Sequence, residues 1–181
     1  MDDTIEKLLD AWIDRVNQKF GTNAKSSDVK EWNVGAVFPT LTHDEVYDVL
    51  TEADLYQNVK PIDGAAEYLK RLMDDGHDIY IVTSTHYKAV QPKLDDVLFK
   101  YFPFISRRKV IIANNKQMIK GDILVDDGVH NHHGGEYQGI LFTASHNEDY
   151  DAEGNGLYRA NTWKEVYEII QKIIEEDSMI Q

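Results

Sequence analysis

The chain has 181 residues, no cysteine, and 32 acidic against 19 basic side chains, for a formal net charge of −13. The length suits one α/β domain with its own core, the lack of cysteine excludes disulfides and thiolate metal sites, and the acidic charge argues against a nucleic-acid polymer as partner. With no apolar run of about 20 residues and no signal-peptide pattern, we expect a cytoplasmic protein without a membrane partner.

Three helices are predicted before the first strand, because apolar residues recur there at helical spacing. Their expected ranges are 5–20, Thr42 to about Ala53, and 63–75. Gly21 is expected to end the first helix. A capping box of Thr42 and Glu45 starts the second, and Asp63 is the expected N-cap of the third.

Strands and helices alternate in the remainder of the chain. Strands are predicted at 78–84, 109–113, 121–127 and 137–145, with helices over about 87–101 and from a capping box of Thr162 and Glu165 onward. The last helix is expected to bury its isoleucines, Ile174 among them, and the tail 175–181 to fray. This alternation predicts a parallel, doubly wound sheet whose ligands lie beyond the carboxyl ends of the strands. The early helices have the character of an inserted cap.

Polar side chains collect at the predicted carboxyl ends of the strands and at the N-terminus. They are Thr83 and Ser84 at the end of the first strand, Lys116 in the loop after the second, Asp126 and Asp127 at the end of the third, and the N-terminal Asp2, Asp3 and Thr4. Mg²⁺ prefers carboxylate oxygens and substrate phosphates. Hydroxyls and backbone N–H groups hold phosphate oxygens, and a lysine supplies a compensating charge. The set predicts phosphoryl transfer through an aspartyl-phosphate.

Each of these residues taken alone has a simpler structural interpretation. Paired aspartates after a strand commonly form a turn or a helix cap. Thr83 is a β-former, Lys116 is a typical loop lysine, and the N-terminal aspartates suit the positive end of a helix. The order and combination of the residues is what favours phosphoryl chemistry.

This ordered set resembles the haloacid dehalogenase-like (HAD) phosphatases, and within them the 5′(3′)-deoxyribonucleotidases. The N-terminal "MDDTI" is similar to the family's Asp-x-Asp-x-Thr opening from its second residue onward. Further similar motifs are "IYIVTS", "NNKQMIKGDILVDD", "ILFTASHN" and "YFPFI". The resemblance implies one HAD-like domain over 1–181, with a Rossmann-like parallel sheet and a small helical cap at about 18–60.

The resemblance also implies Mg²⁺-dependent hydrolysis of nucleoside monophosphates through an aspartyl-phosphate. By position, Asp2 would be the general acid/base and its backbone carbonyl would also face Mg²⁺, while Asp126 and Asp127 would anchor that ion directly or through water. Substrate would be bound by Thr4, which also supports Asp2, and by Thr83, Ser84 and Lys116. Trp32 and Phe38 are core residues or, alternatively, stack on a base. The identity of the base, the 5′ or 3′ position of the phosphate, and a homodimer are left open.

The chain departs from the family pattern at its beginning. The family's nucleophile is the first Asp of Asp-x-Asp, which would lie directly before Met1 on a strand in the middle of the sheet. Loss of that strand would expose two long unpaired edges. We therefore expect little or no turnover from a polypeptide that begins at Met1.

Three alternatives follow from the same residues. The chain could be a non-catalytic module that binds a nucleotide or phosphate, or an acidic metal-dependent domain that acts only through protein contacts. His130, His132 and His133 lie near Asp126 in sequence, so a transition-metal site is a further alternative.

Overall fold

A computed structural model describes residues 1–180. In chain order its helices and strands are α1 (Leu8–Phe20), α2 (His43–Tyr47), α3 (Ala65–Asp74), β1 (Ile81–Thr83), α4 (Val90–Pro92), α5 (Phe99–Tyr101), β2 (Val110–Ile112), β3 (Ile123–Asp126), β4 (Gln138–Phe142), β5 (Tyr158–Ala160) and α6 (Trp163–Ile180). A π-helical segment, Lys93–Leu98, joins α4 to α5. The predicted α/β class is confirmed.

The strands form two parallel sheets instead of the single predicted sheet. β1 pairs with β2, with Ile81 opposite Val110. β4 lies between β3 and β5, with Val125 opposite Ile140 in its pairing with β3. Among residues 1–180, no strand joins β1 to β3, and a cleft of about 600 Å³ lies where the two sheets approach each other. The sheet is therefore interrupted at the place where the resemblance puts a middle strand.

The strands are also shorter than their sequence patterns. The first was predicted over 78–84 and buried on both faces, but β1 covers only Ile81–Thr83, and Tyr80 is 47% exposed. With one neighbour instead of two, β1 has fewer backbone partners to extend the ladder. β5 was not predicted, because its three residues give no periodic signal.

The predicted helix 5–20 begins later, at Leu8. The preceding residues turn back on themselves, since the N–H of Ile5 donates to the carbonyl of Met1 at 2.9 Å. The carbonyl of Ile5 then accepts from the N–H of Ile62 at 2.9 Å. The carbonyl of Ile5 is therefore not available to the N–H of Leu9, which donates to Asp3 Oδ1 instead.

The capping box predicted for the second helix is confirmed. The N–H of Glu45 donates to Thr42 Oγ1 at 3.3 Å, and Glu45 Oε2 accepts from the N–H of Thr42 at 2.8 Å. The helix itself does not reach Ala53. α2 ends at Tyr47 and is followed by a 3₁₀ helix, Asp48–Thr51.

The prediction of Asp63 as the N-cap of α3 is wrong. Gly64 holds that position with φ +77°, a left-handed conformation that favours glycine. The Asp63 side chain is fully exposed and lies 3.9 Å from Lys7. The helix ends near Gly76, which also has a positive φ of +97°, as expected.

At the start of α6, the predicted capping box is shifted by one residue. The N–H of Glu165 donates to Thr162 Oγ1 at 3.2 Å, as expected of an N-cap. The Glu165 side chain reaches back past Thr162 to the N–H of Asn161, at 2.6 Å. The N–H groups of Glu165 and Asn161 both therefore have side-chain acceptors at the start of the helix.

α6 remains helical to Ile180, so the tail predicted to fray is helical up to that residue, and Gln181 lies outside the described residues. Ile174 was predicted to be buried but is 38% exposed, because it lies at the margin of the apolar face. No helix in the described part of the chain is long and apolar enough to cross a membrane.

Two hydrophobic clusters form the interior. The first packs α3, α6 and the strands together, and includes Ile5, Leu69, Ile81, Ile140, Trp163 and Ile170. The second lies between α1, α2 and the segment that joins them, and includes Trp12, Val16, Val29, Phe38, Val46 and Val49. α1 contributes to both clusters, through Leu8 and Ala11 on one side and Leu9, Trp12 and Ile13 on the other.

Candidate functional site

The N-terminal turn and the end of β3 meet through side chains. Thr4 Oγ1 donates to Asp127 Oδ1 at 3.1 Å and also lies 3.1 Å from the carbonyl of Asp2. The indole N–H of Trp163 donates to the carbonyl of Thr4 at 2.8 Å. The "MDDTI" segment is therefore fixed against the carboxyl end of the three-stranded sheet, although it is not itself a strand.

Lys116 and Asp126 form a buried ion pair between Lys116 Nζ and Asp126 Oδ2. The other carboxylate oxygen accepts from the N–H of Gly128 at 2.9 Å and from Asn131 Nδ2 at 2.7 Å. Burial alone would raise the pKa of Asp126. The charge of Lys116 and these hydrogen bonds outweigh burial, so the pKa of Asp126 lies below its ordinary value. Burial likewise lowers the pKa of Lys116, and Asp126 reverses the shift. Both groups are charged at neutral pH.

Asp127 is held from the other side by the loop after β4. His146 Nε2 lies 3.2 Å from Asp127 Oδ2, and Asn147 Nδ2 donates to the carbonyl of Asp127 at 2.8 Å. Burial lowers the pKa of His146, but the hydrogen bond to Asp127 and its negative charge outweigh burial and raise the pKa. His146 and Asn147 belong to the "ILFTASHN" motif, but nothing in their spacing predicts their contacts with Asp127.

Asp2 lies in a different charged group from Asp126. Its Oδ1 forms an ion pair with Lys93 Nζ, and Lys93 is almost fully buried in the π-helical segment. Burial raises the pKa of Asp2, but Lys93 outweighs it and the pKa falls below its usual range. Asp2 is consequently an ionised carboxylate, which suits a proton acceptor better than a proton donor.

Glu6 lies beside Asp2 and is 1% exposed. Neither of its carboxylate oxygens has a hydrogen-bond partner, and burial followed by the charge of Asp2 raises its pKa well above the ordinary value. Sequence analysis missed both Lys93 and Glu6. Lys93 could have been found, since it lies four residues before Val97 on the inward stripe of the helix, where a charge is unusual.

Asp3 has a positive φ of +47°, a conformation that few residues other than glycine adopt. Its Oδ1 accepts from the N–H of Leu9 at 3.1 Å, so it satisfies a free donor of the first turn of α1. Burial and the negative charge of Asp127 raise the pKa of Asp3 well above its ordinary value.

Thr83 is the last residue of β1, and Ser84 follows it. Thr83 is fully buried and its Oγ1 has no hydrogen-bond partner within the protein. The Ser84 hydroxyl is exposed and donates to Asn114 Oδ1 at 2.6 Å. An unpaired buried hydroxyl is costly unless a ligand or water completes it. Of this pair, Thr83 is therefore the residue whose hydroxyl is left without a partner in the protein.

The three histidines considered as a metal site diverge. His130 packs against Trp32, with ring centroids 4.4 Å apart, and His133 Nε2 lies 3.5 Å from the hydroxyl of Tyr150. His132 Nε2 lies 3.1 Å from the carbonyl of Asp126. Among the side chains that the structure describes, no three His, Asp or Glu are placed to hold a metal ion by themselves. The histidine alternative therefore has no support in the structure.

Phe38 and Trp32 were grouped as core residues or base-stacking residues. Phe38 is buried in the second cluster, so its role is packing. Trp32 is 58% exposed, and its ring meets His146 edge-on with centroids 5.2 Å apart. Trp32 therefore presents an aromatic face close to the residues that hold Asp127.

The donor set suits a hard cation that is completed by ligands from outside the protein. Asp126 and Asp127 supply carboxylates at the end of β3, and Asp2 supplies its backbone carbonyl nearby, while its carboxylate is paired with Lys93. Mg²⁺ commonly takes one or two protein carboxylates and completes its shell with water and substrate phosphate. The residues present fit such an ion, although they do not form a full protein cage.

Comparison with known proteins points to nucleotide chemistry. The family model described as "5' nucleotidase, deoxy (Pyrimidine), cytosolic type C protein" matches residues 1–175. A 5'(3')-deoxyribonucleotidase of Bacillus subtilis is 34% identical over 168 residues, which is 92% of this chain and 92% of that protein. Another, of Clostridium acetobutylicum, is 31% identical over 175 residues, 96% of this chain and 93% of that protein.

Solved structures share the architecture. A HAD hydrolase of Entamoeba histolytica superposes with a TM-score of 0.56 at 15% identity, covering 91% of this chain and 92% of the other. A hydrolase of Pseudomonas syringae gives 0.51 at 16% identity, covering 87% and 88%. At these identities the likeness concerns the fold alone, which is that of the HAD hydrolases.

Proposed function

Because the chain belongs to the family of deoxy (pyrimidine), cytosolic type C 5′ nucleotidases, we propose that it hydrolyses the phosphomonoester of a deoxynucleoside monophosphate with Mg²⁺. Membership makes the chain a hydrolase that acts on a small-molecule nucleotide. The observation that carries the finer proposal is the Thr4–Asp127 hydrogen bond beside the Lys116–Asp126 ion pair. Together these two contacts join the N-terminal segment, the loop that carries Lys116 and the end of β3. These are three of the four segments whose residues predicted phosphoryl chemistry.

We assign the phosphate to the space near Thr83 and Lys116. The Thr83 hydroxyl is buried and unpaired, so a phosphoryl oxygen would complete its hydrogen bonding. The Lys116 ammonium supplies the positive charge, and Asp126 holds it in place. Ser84 is exposed and would contribute at the mouth of the site.

A Mg²⁺ ion, when bound, would neutralise negative charge on the phosphoryl group. Asp126, Asp127 and Asp2 are the residues that we propose to hold it. Thr4 and His146 orient the two oxygens of Asp127. Hydrogen bonds to both of its oxygens therefore fix the orientation of the Asp127 carboxylate.

We propose that the phosphoryl group passes to an aspartate as its bond to the nucleoside oxygen breaks, and that the leaving oxygen takes up a solvent proton delivered through Asp2. Asp2 then takes a proton from the water that attacks the aspartyl-phosphate. The ionised state of Asp2 beside Lys93 supports this role as a base. The family resemblance puts the nucleophilic carboxylate directly before Met1. We therefore propose that a polypeptide consisting of residues 1–181 alone turns over little substrate.

We also propose that residues 18–60 act as a small cap on the site. The second hydrophobic cluster gives most of this segment a core of its own. Trp32, on the same segment, lies edge-on to His130 and His146. Its exposed ring is the group in this segment that a base would contact.

The test is phosphate release from 5′ and 3′ deoxynucleoside monophosphates. It uses a polypeptide extended so that Asp directly precedes Met1, with Mg²⁺ or with a chelator. We expect release with Mg²⁺, none with the chelator, and none when Asn replaces the added Asp. Thr83→Val should reduce the rate roughly 100-fold, while Thr51→Val, at a hydroxyl that bonds only locally to Asp48, should not. Binding of a nucleotide without release would favour a non-catalytic binding module.

A further inference from the structure

Trp32 lies between two histidines that belong to two different loops. Its ring centroid is 4.4 Å from that of His130 and 5.2 Å from that of His146, and both pairs of rings meet edge-on, at interplanar angles of 73° and 86°. His130 belongs to the loop after β3, and His146 belongs to the loop after β4. Rings in an edge-to-face arrangement attract one another. Trp32 therefore joins the two loops, although it is 58% exposed.

The loop after β3 holds Asp126. Asn131, the residue after His130, donates from Nδ2 to Asp126 Oδ1 at 2.7 Å, and the N–H of Gly128 donates to the same oxygen at 2.9 Å. The carbonyl of His130 accepts from Gln117 Nε2 at 2.7 Å, so this loop is also tied to the loop after β2. A displacement of His130 would therefore shift the donors that fix one oxygen of Asp126.

The loop after β4 holds Asp127. His146 Nε2 lies 3.2 Å from Asp127 Oδ2, and Asn147 Nδ2 donates to the carbonyl of Asp127 at 2.8 Å. Asn147 also fixes its own loop, because its Oδ1 accepts from the N–H of Ala144 at 3.2 Å. The imidazole of His146 therefore contacts Asp127 and Trp32 at the same time.

The segment that carries Trp32 is fastened to the loop after β4 at two further points. Ser145 Oγ donates to the carbonyl of Ser26 at 2.8 Å, and Lys30 Nζ lies 2.9 Å from Glu148 Oε2. An exposed ion pair of this kind contributes little stability. The Trp32 ring and the Ser145 hydrogen bond are therefore the main contacts that hold this segment against the loop.

We propose that Trp32 is a positioning residue for the two aspartates at the end of β3. Its ring holds the two loops through His130 and His146, and the loops hold Asp126 and Asp127 by hydrogen bonds. Outer contacts of this kind fix the orientation of carboxylates that bind a metal ion. Removal of the ring should let both loops relax, so that the two carboxylates are less well oriented. The consequence for Mg²⁺ rests on the proposed function, whereas the positioning of the carboxylates does not.

The first measurement is amide hydrogen exchange without a divalent cation. The N–H groups of Gly128 and Ala144 donate to side chains and report on the order of the two loops. Trp32→Ala should speed exchange at both of them at least roughly threefold. Exchange at Thr143, whose N–H donates to the carbonyl of Ala160 at 2.8 Å, should not change. Tm should fall by no more than about 2 °C, because Trp32 belongs to neither hydrophobic cluster.

The second measurement is the affinity of the chain for Mg²⁺, by isothermal titration calorimetry. Trp32→Ala should weaken binding roughly tenfold, whereas Trp32→Phe should keep most of the affinity because it still presents an aromatic ring. The control Tyr87→Ala removes an even more exposed aromatic side chain, which packs on His86, and should bind as wild type does. In a His146→Gln background, Trp32→Ala should have a smaller effect, because the contact through which it acts on Asp127 is already lost.

Two results would overturn the proposal. Unchanged exchange in Trp32→Ala would do so whatever the Mg²⁺ affinity, because the ring would then not hold the loops. Faster exchange with an unchanged Mg²⁺ affinity would do so as well, because the loops would then not orient the carboxylates that bind the ion.

Failure of the proposed function gives a different result. If wild type bound no Mg²⁺ at millimolar concentration, the proposed magnesium site would be contradicted. Faster exchange at Gly128 and Ala144 in Trp32→Ala would still support the positioning of Asp126 and Asp127. If wild type bound Mg²⁺ and Trp32→Ala changed neither exchange nor affinity, the magnesium site would stand and the role of Trp32 would not.

Discussion

Individual charges at this site are buried in pairs. Lys116 with Asp126 and Lys93 with Asp2 each place an ammonium and a carboxylate largely out of solvent. Removal of one member leaves the other as an uncompensated buried charge, which is far costlier than the loss of an exposed pair. These pairs are the parts of the site most sensitive to single substitutions.

Lys116→Met tests this at the ion pair nearest the end of β3. We expect it to lower the free energy of unfolding by about 3–5 kcal/mol, measured by urea denaturation. Lys120→Met is the matched control, because Lys120 and its partner Glu136 are both more than 80% exposed, and it should have no measurable effect. The double variant Lys116→Met, Asp126→Asn should recover part of the loss. If Lys116→Met were as stable as the control Lys120→Met, the ion pair would not stabilise the fold.

His146 should make stability depend on pH in a defined direction. Asp127 raises its pKa above the ordinary 6.5, against the effect of burial. A group with a raised folded pKa contributes stability that is complete below its unfolded pKa and is lost as the pH rises through the folded value.

Wild type should therefore lose stability relative to His146→Gln as the pH rises from about 6 to about 8.5. The measurement is the free energy of unfolding of both proteins in urea at several pH values. His43→Gln, at an exposed histidine, provides the control and should run parallel to wild type. A constant difference between wild type and His146→Gln would show that the imidazole has the same pKa in the folded and unfolded states, which would contradict the prediction.

At the level of helices and strands, patterns that depend on neighbours in sequence were predictive. The Thr42–Glu45 capping box, the stop at Gly76 and the positions of four strands follow from local residues. The Lys116–Asp126 contact also followed, because both lie after strands of a parallel sheet.

Features that depend on contacts between residues far apart in sequence could not be predicted. The start of α1 is set by the hydrogen bond between Ile62 and Ile5. The short β5 exists because β4 lies beside it. The pairing of Asp2 with Lys93 joins residues that no local pattern connects.

The N-terminus of α3 offers a direct test at this scale. Gly64→Ala should destabilise the protein by ~1–2 kcal/mol, because a Cβ is strained at φ +77°. Gly121→Ala is the control, since Gly121 has open space around it and no positive φ. Asp63→Ala should leave Tm unchanged, because Gly64 is the cap. A larger loss from Asp63→Ala than from Gly64→Ala would restore Asp63 as the cap.

For the whole molecule, the dominant electrostatic fact is the net charge of −13. Self-repulsion of that size opposes the compact state, and added salt screens it. Raising NaCl from about 0.02 M to about 0.3 M should therefore increase Tm by a few degrees. The Glu31→Gln, Asp149→Asn variant, which removes two exposed charges, should respond less. A fall in Tm would show that surface ion pairs such as Lys164–Glu168 dominate instead.

α1 has a consequence for how a ligand reaches the site. One uninterrupted helix supplies side chains to both interiors, with Leu8 and Ala11 facing one and Trp12 and Ile13 the other. A hinge motion between the parts of the molecule around the two hydrophobic clusters would have to bend α1 or pull a row of its side chains out of close packing. We therefore expect a ligand to reach the site through movement of the exposed segment that carries Trp32. The parts of the molecule around the two hydrophobic clusters should keep the same relative orientation when a ligand binds.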